Sequence, residues 1–166
     1  MKLDKDKQKA ALTEQVIANL KKRLSAGKAK MAARYVELCF RRVPIDDLAS
    51  EAPQALAAIV IGQLDFLKKR KRGEMLIRAF NPAMETDGWD SPHTIIEVIN
   101  DNMPFLVDTA AMALSELDLG IHLIIHPVIG VNRDGSGRLT SVYSKKGRKG
   151  NPESVMQFRV DRRTAS

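Results

Sequence analysis

Ser91-Pro92-His93-Thr94-Ile95-Ile96-Glu97-Val98-Ile99-Asn100-Asp101-Asn102-Met103-Pro104-Phe105-Leu106-Val107-Asp108 is the stretch on which the fold turns. Thr94, Ile95, Ile96, Val98 and Ile99 are β-branched and favour a pleated backbone. Asn100-Asp101-Asn102 then favours a turn or a helix cap. Pro104 falls in the first turn of the next element, where a missing N–H costs nothing. Leu106, Ala110, Ala113 and Leu117 recur at helical spacing, with Asp108 and Glu116 on other faces. Gly120 supplies a left-handed stop, and Ile121 to Ile125 is a second strand. The unit reads strand, helix, strand, with a right-handed crossover expected.

Outward from this unit, Met75 to Phe80 reads as a further strand, with Met75, Ile77 and Ala79 on one side and Leu76 and Phe80 on the other. A long connection to Pro92 carries the only tryptophan, Trp89, read as a pin between loop and core. Downstream, the second strand is read as continuing past Pro127 to Val131. Arg133-Asp134-Gly135-Ser136-Gly137 is a hairpin signal. Returning and final strands follow at Leu139–Tyr143 and around Val155–Asp161, separated by a basic loop at Lys145–Asn151. Upstream, three helices are expected: Asp4–Leu24 with a Leu12/Val16/Leu20/Leu24 stripe, a break at Gly27, Lys28–Arg42 facing inward through Met31, Tyr35, Leu38 and Cys39, and one from Ser50. Pro44 stops the second, and Asp46 is placed to cap a short turn. The third carries Leu56, Ile59, Val60, Leu64 and Leu67, is complemented at its C-terminus by Lys68–Arg72 and ends at Gly73. The fold class is α+β: an antiparallel, ferredoxin-like sheet with a βαβ core, preceded by a helical segment. The division is residues 1–73 helical and 74–166 sheet domain.

The 166 residues include 44% hydrophobic side chains, enough for a real core. The single Cys39 cannot form an internal disulfide and suits a reducing compartment. The longest apolar run, Ala55 to Ile61, is far short of the about 18 residues of a membrane span. No apolar signal segment follows the lysine-rich start. Cytoplasm is the expected location. The net charge of +7 is unevenly placed: +9 in Met1–Arg72, −8 in Gly73–Pro127 and +6 in Val128–Ser166. An acidic centre repels a phosphate backbone, and no aromatic side chains interleave with the basic runs 68–72 and 145–149. The alternative that remains from composition is a polyanion-binding or nucleic-acid-binding protein using those two runs.

Catalytic signatures are missing. The chain has no Gly-x-Gly-x-x-Gly and no Walker string, so it lacks the dinucleotide loop a dehydrogenase needs. His122 and His126, read on one strand, stand about 13 Å apart at about 3.3 Å per residue and cannot share an ion. His93 can approach one of them, but no cysteine or paired carboxylate completes a metal site. The binding candidate is the turn Asn100, Asp101, Asn102, Met103, Phe105, Leu106. A turn feeding a helix N-terminus offers unpaired N–H groups to an amino-acid carboxylate. The plainer reading is that Asp101 or Asn102 caps the helix.

The strings Phe80-Asn81-Pro82, Gly88-Trp89, Ser91-Pro92-His93-Thr94, Asn100-Asp101, Met103-Pro104-Phe105-Leu106-Val107-Asp108, Ile121-His122-Leu123 and His126-Pro127-Val128 occur in order. Together they resemble the N-terminal, ACT-like region of the large bacterial NAD-specific glutamate dehydrogenases, over roughly Arg34 to Asp161. The resemblance implies a non-catalytic regulatory or assembly module, with NAD used by the parent enzyme and no cofactor in this chain. It implies self-association as a homodimer or higher oligomer, or docking to other domains of the parent, with an amino acid as effector near the turn. It also departs from the ACT pattern, because Phe105 stands where a glycine normally lets a ligand reach the backbone. A second helix of the ACT pattern is expected to start near Ser166, unless Met75–Phe80 completes the sheet instead. A free-standing protein-interaction adaptor is a further alternative.

Overall fold

The computed structural model describes residues 1–144 and 151–164. The basic run 145–149 lies outside them. The elements are α1 (Lys2–Arg23), α2 (Ala26–Phe40), α3 (Ile45–Leu48), α4 (Pro53–Leu67), β1 (Leu76–Phe80), α5 (Met84–Asp87), β2 (Thr94–Asp101), α6 (Leu106–Glu116), β3 (Ile121–Ile125), β4 (Val128–Arg133), β5 (Leu139–Tyr143) and β6 (Asn151–Val160). The architecture is α+β and ACT-like, with helices preceding a six-stranded antiparallel sheet.

The sheet order is β1-β2-β6-β4-β5, with β3 also on β6. β2 and β3 are both antiparallel to β6, so they run parallel to each other with β6 inserted between them. The strand–helix–strand unit is therefore a split βαβ. β6 takes β3 along residues 157–160 and β4 along 151–154 on the same edge. The continuous strand expected through Val131 is thus two strands, broken at His126-Pro127, since proline cannot donate to the ladder. β1 completes the sheet beside β2, pairing Leu76 with Ile99 through Phe80 with Ile95.

Alternation divides the side chains between two faces. Val155, Ile99, Ile129 and Val131 join Val16, Leu20, Tyr35, Val36, Leu56, Val60 and Leu67 in one core under α1, α2 and α4. The helical layer and the sheet thus share a single core. Val98, Met156, Phe158 and Val160 form a second core under α6. α6 meets the sheet through Leu106, Val107, Ala110, Ala111 and Leu114 rather than Ala113 and Leu117, which are exposed. On β1 the inward residues are Leu76, Arg78 and Phe80, while Ile77 faces outward on the α6 side. Trp89 is buried against Ala58, Ile95 and Phe80, and pins its loop as expected.

Several punctuation marks differ from the sequence reading. The helix break falls at Leu24-Ser25, and Gly27 lies inside α2. Pro44, not Asp46, precedes α3, and Asp46 pairs with Lys5 at 2.8 Å. The left-handed residue after α6 is Asp118 (φ 57), not Gly120. Gly120 instead lies under the Asp161 carboxylate: a Cβ there would be 2.7 Å from an oxygen of that exposed side chain. α4 stops at Leu67, and the residues after it cross to the β4–β5 turn, where Lys69 bridges Arg138.

Candidate functional site

The Asn100–Leu106 turn leaves the end of β2 and enters α6 without a side-chain cap. Phe105 holds the N-cap position in the left-handed region (φ 65). Its ring is 77% exposed, and Met103 is also exposed. Leu106 packs into the core under α6. The Asn100 carboxamide oxygen accepts from the Asp101 N–H at 2.9 Å, and the Asn102 N–H donates to the Pro152 carbonyl at 3.0 Å. The capping alternative does not occur. Asp101 turns to the helical face instead, accepting from Arg70 at 2.6 Å and from the Gly73 N–H at 2.9 Å.

Arg70 is the residue sequence reasoning missed. It sits within the Lys68–Arg72 run but is only 1% exposed. Its Nε donates to the Glu74 carbonyl, and its two terminal nitrogens reach Asp101 and Glu153. Glu153 is also gripped by Arg133 through two hydrogen bonds of 2.8 and 2.9 Å. Arg133 Nη1 donates to the carbonyls of Leu67 and Gly137. This four-residue network joins the end of α4, the candidate turn, β6 and the β4–β5 turn. No local pattern announced it, because Glu153 lies far along the chain. It leaves the basic run with four exposed side chains, one of which, Lys68, pairs with Asp65.

A second polar cluster lies at the other end of β6. His93 and His122 stack with ring centroids 4.3 Å apart, so His93 does reach another histidine. A bulge between Ile121 and Leu123 takes His122 out of the strand alternation. His122 Nε2 stands 2.7 Å from Asp161, which also accepts the Gly120 N–H at 2.8 Å. His126 binds the Ser154 hydroxyl instead. Among the described residues no group of three or more His, Cys, Asp or Glu side chains is arranged to hold a metal ion.

Burial opposes ionisation of Asp101, but the bonds from Arg70 and Gly73 outweigh it and hold the carboxyl below its ordinary 3.8. Asp161 is held low by His122 and the Gly120 N–H, and Asp134 by the Ser136 hydroxyl and the Arg138 and Ser136 N–H groups. A depressed carboxyl contributes stability above its unfolded pKa and loses it as pH falls through the folded value. Burial lowers His126, and burial with the His122 and Arg159 charges lowers His93, both from 6.5. A histidine favoured as neutral contributes fully above its unfolded pKa and loses that as pH falls through it. All these shifts act in one direction. The urea midpoint should fall in two stages on acidification, first below 6.5 and again below 3.8. Asp101→Asn should remove part of the second stage, and a midpoint flat across both windows would refute the assignment.

The split βαβ sheet, with β1 completing its outer edge and helices packed on it, defines the ACT-like class of α+β domains. The chain belongs to the family described as glutamate dehydrogenase, ACT1 domain, whose model matches residues 35–166. It is 31% identical over 153 residues to the NAD-specific glutamate dehydrogenase of Halomonas elongata, covering 91% of this chain and 10% of that protein. It is 30% identical over 130 residues to the protein of that name from Pseudomonas aeruginosa, covering 77% of this chain and 8% of the relative. The chain therefore spans about a tenth of the length of the curated relatives it matches. No solved structure matches it. No helix among the described residues is long and apolar enough to cross a membrane.

Proposed function

We propose that the chain is a non-catalytic regulatory and assembly module of a cytoplasmic NAD-dependent glutamate dehydrogenase. NAD is handled by other parts of the parent enzyme, and this segment contacts a second copy or another domain. The observation that carries the assembly role is Phe105, exposed at the start of α6 in a conformation that turns its ring to solvent. Met112, seven residues on and on the same side of the helix, is exposed as well. Exposed apolar area along one side of a helix suits a contact surface. Asp101 supports assembly over amino-acid sensing at the Asn100–Leu106 turn, because both its oxygens are already engaged.

The test is made in the full-length dehydrogenase. Phe105→Ser should leave the unfolding midpoint of the module within about 0.5 kcal/mol, as exposed substitutions do. It should weaken subunit assembly in sedimentation velocity by about tenfold or more, the scale of an interface anchor. Unchanged assembly and unchanged turnover would sink this reading. Calorimetric binding of an amino acid that Asn102→Ala abolishes would return the turn to its effector role.

A further inference from the structure

A groove of about 600 Å³ runs between the α1–α2 turn, the C-terminal half of α4 and the start of β5. Its floor is Leu24, Met31, Ile61, Leu64 and Leu139, half-buried side chains that rest on the core under the helices. Its rim carries four cationic side chains, Lys28, Lys68, Lys69 and Arg138, against one carboxylate, Asp65. Lys68 pairs with Asp65 at 2.9 Å, while Lys28 and Lys69 are exposed and have no ion pair among the described residues. An apolar floor inside a cationic rim suits an occupant of the opposite charge, an apolar ridge flanked by carboxylates.

α6 presents such a ridge. At about 100° per residue, Phe105, Asp108, Met112 and Glu116 share one side of the helix, and all four are exposed. The opposite side, with Leu106, Val107, Ala110, Ala111 and Leu114, is spent on the sheet. From Phe105 to Glu116 the chain holds two carboxylates and no cation. Two large apolar side chains one heptad apart are the anchors that a helix lays into a groove. The groove opens on the helical face of the sheet and α6 covers the other face, so one copy cannot fill its own groove.

We propose that α6 of one copy docks in the α1–α2/α4 groove of a second copy, with Phe105 and Met112 on the apolar floor and Asp108 and Glu116 against Lys28 and Lys69. This contact rests on the assembly role above and supplies the surface that receives Phe105. The two surfaces are different, so the contact is head-to-tail. Each terminal copy keeps one free groove and one free ridge, and association runs past the dimer to a ring or a chain.

Sedimentation velocity of this chain up to about 100 μM, well above the micromolar end of specific interfaces, provides the test. The wild type should sediment faster as concentration rises, passing the dimer, and less so at high salt. Phe105→Ser/Met112→Ser and Lys28→Glu/Lys69→Glu should each self-associate at least about tenfold more weakly. All four side chains are exposed, so the unfolding temperature should hold in both variants. Mixed in equal amounts, the two variants should form a complex of one copy each that grows no further, because the first keeps its groove and the second its ridge. A wild type that stays monomeric, or a mixture that does not pair, would overturn the proposal. So would a Lys28→Glu/Lys69→Glu variant that associates like the wild type. If Phe105→Ser still weakened assembly of the full-length enzyme in that case, its ring would meet another domain and the assembly role would stand.

Discussion

Replacing Arg70 with methionine is expected to lower the unfolding free energy by about 3 kcal/mol, the lower end of the range for breaking a buried ion pair. The value is not higher because the two abandoned carboxylates differ. Asp101 is partly open and regains water, while Glu153 keeps its two bonds from Arg133. The outright loss is the guanidinium's contacts to Glu74, Asp101 and Glu153, which tie the segment after α4 to the sheet. Arg72→Met, in the same basic run but exposed, should stay within about 0.5 kcal/mol. Urea denaturation of both variants separates the readings. A cost below about 1 kcal/mol for Arg70→Met would show that the run is only a solvated charge patch.

That contrast shows where the sequence is legible and where it stops. The β2–α6–β3 unit was readable because β-branched runs and helical spacing are local properties, and the observed ranges follow them. The placement of β6 between β2 and β3 was not readable. It depends on a strand that arrives after the β4–β5 hairpin, and nothing within Thr94–Ile125 encodes it. The candidate turn shows the same division. Asn100, Asp101 and Asn102 have the composition of a cap, yet Asp101 is claimed by Arg70 and Gly73, which lie before β1 in the chain. Glu97, Gln157 and Arg159 were legible only as polar residues alternating along strands. Their burial depends on the helical layer that covers this face of the sheet. Gly120 reads as a left-handed stop, yet that conformation falls on Asp118, and Gly120 instead donates its N–H to the Asp161 carboxylate from the far end of the chain.

Gly137→Ala should be comparably severe, at about 3 kcal/mol, for two reasons that act together. Gly137 has φ +86, a conformation that strains residues with a Cβ by about 1–3 kcal/mol. The added Cβ would also lie 2.6 Å from the carbonyl oxygen of Arg70, a backbone atom with no rotamer to give way. The Arg70 N–H donates to the Gly137 carbonyl at 3.0 Å, so displacing one segment disturbs the other. The same carbonyl accepts from Arg133, which carries the strain into the buried charge network. Gly135→Ala in the same turn meets no atom within 4 Å, and should be nearly neutral. Because Gly137 and Arg70 share a contact, the double variant Gly137→Ala/Arg70→Met should lose less stability than the two single losses added together, by about 1 kcal/mol. Strict additivity would mean that the turn and the ion network are independent, against the geometry that joins them.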